Sequence, residues 1–130
     1  MVQVADRERS RYADEWMGFL GNYVHKHIEK PDKYLRDARA VRIAVLDTGI
    51  DKEHPFIRAA LNEKRIRMTE SFVSGVGCTT DTFGHGTYIA SLLLTVAPDA
   101  QLYVAKIATS EDIPPDHRIG EVTSTVFAWN

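Results

Sequence analysis

The chain has 130 residues, 44% apolar and 26% charged, with a formal net charge of −2. These values suit one soluble globular domain and give no electrostatic reason to expect nucleic acid or an anionic membrane as a partner. A single cysteine, Cys78, excludes an internal disulfide and any multi-cysteine metal site.

Residues 1–30 read as one amphipathic helix, because Tyr12, Trp16, Phe19, Leu20, Tyr23 and Ile28 recur near helical spacing. Trp16 and Phe19 are expected as core anchors. Pro31 ends the helix, and residues 32–40 read as a charged linker. The opening MVQVADRERS lacks the apolar core of a signal peptide, and no stretch approaches the roughly 20 apolar residues of a membrane span. The expected location is cytoplasmic, provided Met1 is the natural start.

From residue 41 the character changes. VRIAVL, at 41–46, reads as a strand buried on both faces and closed by the Asp47-Thr48-Gly49 turn. A short helix is expected over 55–61, and short strands at Ile66 and at 71–73. The basic cluster Lys64, Arg65 and Arg67 reads as a solvated strand edge. After a Gly/Thr loop over 74–83 come an apolar helix to about Val96, a buried strand over 101–107 and a loop holding Pro114-Pro115. An amphipathic helix over 117–129 closes the chain, with Ile119, Val122, Val126 and Trp129 on one side. Strands alternating with helices predict a parallel α/β sheet.

In such a sheet the strand C-termini open onto the functional crevice, and Asp47 sits at one of them. A carboxylate there needs a cation or strong donors, because unpaired burial costs several kcal/mol. His85, between Gly84 and Gly86 at a helix start, is the candidate. An Asp accepting from one imidazole nitrogen fixes the tautomer and frees the other nitrogen to take a proton. The glycines let backbone approach closely and keep the ring accessible. Taken singly, Asp-Thr-Gly is compatible with a plain turn and His85 with a helix cap.

These stretches carry a resemblance. VRIAVLDTGIDKEHP is similar to the aspartate motif of subtilisin-like serine peptidases, the subtilases, and GHGTYIASLL to their histidine motif. VAPDAQLYVAKI and the final VFAWN resemble the family segments that follow. The short run from His85 to Ala97 resembles subtilase domains of fungal multidomain proteins. The resemblance implies an α/β fold: a partial subtilisin-like parallel sheet with flanking helices over 41–130, preceded by the N-terminal helix and linker over 1–40. It implies Asp47 as triad aspartate and His85 as triad base. Asp81 would order the loop before His85, Thr48 and Thr87 would brace the two catalytic loops, and Gly49, Gly84 and Gly86 complete the motifs. His54-Pro55 matches a structural turn. The implied substrate is a polypeptide, cut by the complete enzyme; no cofactor and no metal are implied.

The departures are specific. Tyr88, Ile89 and Ser91 replace residues usual after the histidine motif, and Ser91 stands where a glycine often permits close packing. The nucleophile motif, Gly-Thr-Ser-x-Ala-x-Pro, is absent. None of Ser10, Ser71, Ser74, Ser91, Ser110 and Ser124 has its context, and Asn130 does not stand in the pattern of the oxyanion-hole asparagine. The 130 residues alone are therefore expected to be inactive. Two rival enzymes share parts of the pattern: an aspartic peptidase with the same Asp-Thr-Gly in a nearly all-β fold, and a metal hydrolase using Asp47, Asp51, His54 and His85. A third reading is a non-catalytic truncated subtilase serving as an interaction module. Its uncovered apolar surface would take the remainder of a peptidase domain or another protein.

Overall fold

The computed structural model of the chain describes residues 2–27, 40–111 and 119–128. Its elements are α1 (Val2–His27), β1 (Arg42–Asp47), α2 (Pro55–Asn62), β2 (Ile66–Ser71), α3 (His85–Val96), β3 (Gln101–Lys106) and α4 (Ile119–Ala128). Ile66 and Ser71, expected in separate strands, belong to one. The linker expected over 32–40 lies outside the described residues except for residue 40. The loop around Pro114-Pro115 and the side chains of Ile119 and Trp129 also lie outside them. Among the described residues no helix is long and apolar enough to cross a membrane.

The three strands form a parallel sheet in the order β1-β3-β2. An α/β parallel sheet is what the alternation predicts, and it removes the nearly all-β aspartic peptidase reading. Register pairs Asp47 and Ser71 each with Lys106, so all three strand C-termini end at one edge. The main core lies between the sheet and α2 with α3. Val45, Leu102 and Val104 meet Ile57 and Ala60 of α2 and Ala90 and Leu94 of α3. Each of these helices buries a stripe at three- and four-residue spacing. A second cluster on the opposite face joins Ala105 and Phe72 to Val122 of α4.

Only β3 is buried on both faces. β1 turns Val45 inward but exposes Ala44 and Leu46, contrary to the expectation of a fully buried strand. Position explains the difference. β1 is an outer strand, and the apolar residues of α4 pack over β3 and Phe72 rather than over β1.

The first helix also departs from its reading. Val24 is buried and Met17 and Leu20 are half-buried, whereas Trp16 and Phe19 are 58% and 68% exposed. Tyr12, Trp16, Phe19 and Tyr23 form one stripe. Ala13, Met17, Leu20 and Val24 form a second stripe one residue on, rotated by about 100°. The helix lays the second stripe toward the body, where Ala13 and Met17 face Leu92 and Thr95 of α3 across a shallow groove. The bulky stripe is left in solvent.

Arg65 departs from the solvated-edge reading. Its Nη2 donates to the carbonyls of Leu94 (3.0 Å) and Ala97 (3.1 Å) at the C-terminal end of α3. The Leu94 carbonyl is one that the helix end leaves without an intrahelical partner, the Ala97 carbonyl also accepts from the Ala100 amide (3.0 Å), and a cation there complements the helix dipole. Replacing Arg65 by Met keeps the stem and removes both bonds. The expected loss is about 1–2 kcal/mol of unfolding free energy, read as a lower urea midpoint at unchanged slope; an unchanged midpoint would show that the bonds contribute nothing.

Candidate active site

Asp47 ends β1 on the same face as Ile43 and Val45, and so points toward the start of α3. His85 is the first residue of that helix. Its Nδ1 lies 2.8 Å from Asp47 Oδ1 and 2.9 Å from Oδ2. The carboxylate thus holds Nδ1 as the ring's donor, and Nε2 is left for proton exchange. The Asp47 side chain is 15% exposed and that of His85 55%, so the pair is anchored at one end and open at the other. The hydrogen bond that His85 donates to Asp47 and then the Asp47 charge raise the His85 pKa above its ordinary value, and the charge of Asp81 adds in the same sense.

What brings the pair together is a second carboxylate. Asp81 Oδ1 accepts from the Thr48 hydroxyl (2.8 Å) and the Gly84 amide (2.9 Å). Its Oδ2 accepts from the Thr87 hydroxyl (2.6 Å) and the Thr87 amide (2.9 Å). The two threonines relay the connection. Thr48 Oγ1 accepts from the Gly86 amide (3.0 Å), and Thr87 Oγ1 accepts from the Asp51 amide (2.9 Å). Amides that a helix N-terminus leaves unpaired are therefore satisfied by Asp81 and Thr48. Burial alone would raise the Asp81 carboxyl. The bonds donated by Thr87, Gly84 and Thr48 outweigh it and hold the pKa below its ordinary value.

Glycine is required twice. A Cβ on Gly86 would lie 2.1 Å from the Gly49 carbonyl oxygen. Gly49 itself has φ +93°, and a Cβ there would come 2.5 Å from the Cys78 carbonyl oxygen. Backbone on backbone is the only packing that lets the Asp47 loop reach the start of α3.

All eight residues named from the sequence thus gather at one place: Asp47, Thr48, Gly49, Asp81, Gly84, His85, Gly86 and Thr87. Beside them opens a cleft of about 330 Å³ lined by Leu46, Asp47, Phe83, His85, Ile107 and Ala108. Ser110 stands on its rim, in the sequence TSED and not in a nucleophile motif. Among the described residues, no three His, Cys, Asp or Glu side chains cluster so as to hold a metal ion. Sequence reasoning missed one participant. Lys106, 1% exposed, donates from Nζ to the carbonyls of Thr48 and Thr80. A lysine ending an apolar strand gave no signal of that role.

Two outcomes are expected. Gly86→Ala should destabilise by about 1–3 kcal/mol, as overpacking does, while Gly120→Ala, where the space is open, should not; equal effects would show that the backbone contact is unimportant. Asp81→Asn should destabilise at neutral pH by about 1–3 kcal/mol, because an NH2 group then faces donors. A lowered carboxyl pKa stabilises the fold above the unfolded value of about 3.9. That stabilisation is lost as pH falls through the folded value. The gap between wild type and variant should therefore close below about pH 4; a gap that persists in acid would contradict the assigned role of the charge.

The geometry has counterparts among known proteins. The Subtilase family model matches residues 38–123. The chain is 32% identical over 82 residues to the intracellular serine protease of Paenibacillus polymyxa, covering 56% of this chain and 25% of that protein. It is 35% identical over 81 residues to a subtilisin of Bacillus sp. strain TA39, covering 52% and 18%. It is 26% identical over 98 residues to the major intracellular serine protease of Bacillus subtilis strain 168, covering 67% and 30%. The match thus spans less than a third of each of these relatives. By the extent of the family match, the chain belongs to the subtilase family.

Proposed function

We propose that Asp47 and His85 are the acid–base half of a serine endopeptidase triad, and that a serine these 130 residues do not carry in the family's motif completes it. One observation carries the reading: His85 Nδ1 is held by both oxygens of Asp47, while the imidazole lines an open cleft. In the complete site, Nε2 takes the proton from the serine hydroxyl as Oγ attacks a peptide carbonyl. Asp47 stabilises the imidazolium, and Nε2 then gives the proton to the leaving amine. The substrate is a polypeptide.

The surface beside the pair suits the remainder of such a domain. Leu46 and Phe83, which line the cleft, are 41% and 44% exposed, apolar surface that the remainder of the domain would cover. The same surface favours the second reading, an interaction module that docks another protein without cutting it. The chain divides at residues 1–40 and 41–130 in this reading, supported by a family match over residues 38–123. The names of two relatives support a cytoplasmic setting.

The test has two arms. The 130 residues expressed alone should not turn over a peptide substrate. A longer natural chain carrying the serine motif should do so, and its His85→Ala variant should lose about 10⁴-fold or more in kcat. Turnover by the short chain that His85→Ala abolishes would refute the division of the triad. A longer chain indifferent to His85→Ala would refute the base.

A further inference from the structure

We infer that Lys106 is a positioning residue for the Asp47–His85 pair, acting by tying together the two loops that carry Asp47 and Asp81. The inference rests on the proposed role of that pair, and it concerns a residue outside the aspartate and histidine motifs.

The sheet ladder shows why a side chain is needed. Asp47 and Lys106 are register partners at the strand ends, and the Ile107 amide donates to the Asp47 carbonyl (2.8 Å) as the last bond of this kind. The next carbonyl, that of Thr48, lies beyond the ladder. Lys106 reaches it from the side: its stem passes Gly49, where an added Cβ would come 3.3 Å from Cδ, and Nζ donates to Thr48 O. The same Nζ donates to Thr80 O at 2.8 Å, one residue before Asp81.

Thr48 is the joint of the site. Its amide donates to Asp47 Oδ1 (2.8 Å), and its hydroxyl bridges Asp81 and the Gly86 amide. Holding the carbonyl from below orients this residue, and with it the donors that aim Asp47 at Nδ1. Two backbone bonds already join the loops, Ile50 N to Cys78 O (2.9 Å) and Lys52 N to Thr79 O (3.4 Å). Both lie farther along the first loop, and neither holds the Thr48 carbonyl. Burying an ammonium costs several kcal/mol even after relaxation. An apolar side chain would fill the same space, so the cation stands there for its donors.

The experiment is an NMR titration of the His85 imidazole in the 130-residue chain, with four variants. Asp47→Asn should lower the His85 pKa toward its ordinary value. Lys106→Met, which keeps the stem and removes the donors, should shift it in the same direction and weaken the low-field Nδ1 proton signal. Arg65→Met, destabilising but remote, should leave the titration where it is. The sign discriminates, because removing a nearby positive charge without moving Asp47 would raise the His85 pKa. An unchanged or raised value in Lys106→Met therefore overturns the inference. If that variant does not fold, Lys106→Gln replaces it. Its shorter arm cannot span both carbonyls, so a smaller downward shift is expected, and no shift is the overturning result. Should Asp47→Asn leave His85 unmoved, the reading of the pair fails, and this inference with it. Should Asp47→Asn act and the lysine variants not, only the role of Lys106 fails. Because titration is read and not turnover, absence of peptidase activity leaves the result intact.

Discussion

Everything at this site hangs on one carboxylate that does not face the cleft. Asp81 accepts four hydrogen bonds, two from hydroxyls and two from amides. Hydrogen bonds to a charged acceptor contribute more than neutral ones, about 1.5–3 kcal/mol each where well formed, and a negative charge at a helix N-terminus adds a favourable dipole contact. Together these outweigh the partial burial of the group. The geometric result is that the turn after β1 and the first turn of α3 share one acceptor. The contact between Asp47 and His85 at 2.8 Å follows from that shared anchor, since a half-exposed histidine would not be held by a surface ion pair alone.

Helix α3 is clamped at both ends by opposite charges. Asp81 collects amides at its start, and Arg65 collects carbonyls at its finish. Between them the helix is almost entirely apolar and packs its Ala90–Leu94 stripe on the core. Its axial position is therefore set by polar contacts and its distance from the sheet by packing. The glycine pair removes the last obstacle, because Gly49 and Gly86 meet backbone to backbone. His85 is thus placed at the first turn, by Asp81 and the glycine contact, while Arg65 secures the far end of the helix.

Much of this was legible in the residues. A carboxylate at the C-terminal end of a parallel strand and a histidine flanked by glycines at a helix start are local patterns with local physical reasons, and both motifs stand in short stretches. What was not legible depends on tertiary position. Whether β1 is central or outer is not written in VRIAVL, so the exposure of Ala44 and Leu46 could not be foreseen. The two apolar stripes of α1 differ by a single residue step, and composition favoured the heavier one. Burial took the lighter one, whose small and aliphatic side chains fit against α3. Arg65 and Lys106 resemble ordinary surface charges in sequence. Only the path of the chain shows that one reaches the end of a helix and the other runs beneath a loop.

The strand order has a consequence for how the molecule comes to exist. β1 and β2 do not hydrogen-bond to each other; each pairs only with β3, which follows both in the chain, with Arg42 opposite Gln101 and Ile66 opposite Leu102. Long loops must close before either ladder forms, and their entropy is lost before any contact compensates it. During synthesis from the N-terminus, α1, α2 and α3 are made while the sheet still has no interstrand bond. The strand that joins the other two also carries Lys106 at its end. Of the three described strands β3 is made last, so neither ladder nor the contact between the Asp47 and Asp81 loops through Lys106 can form before it.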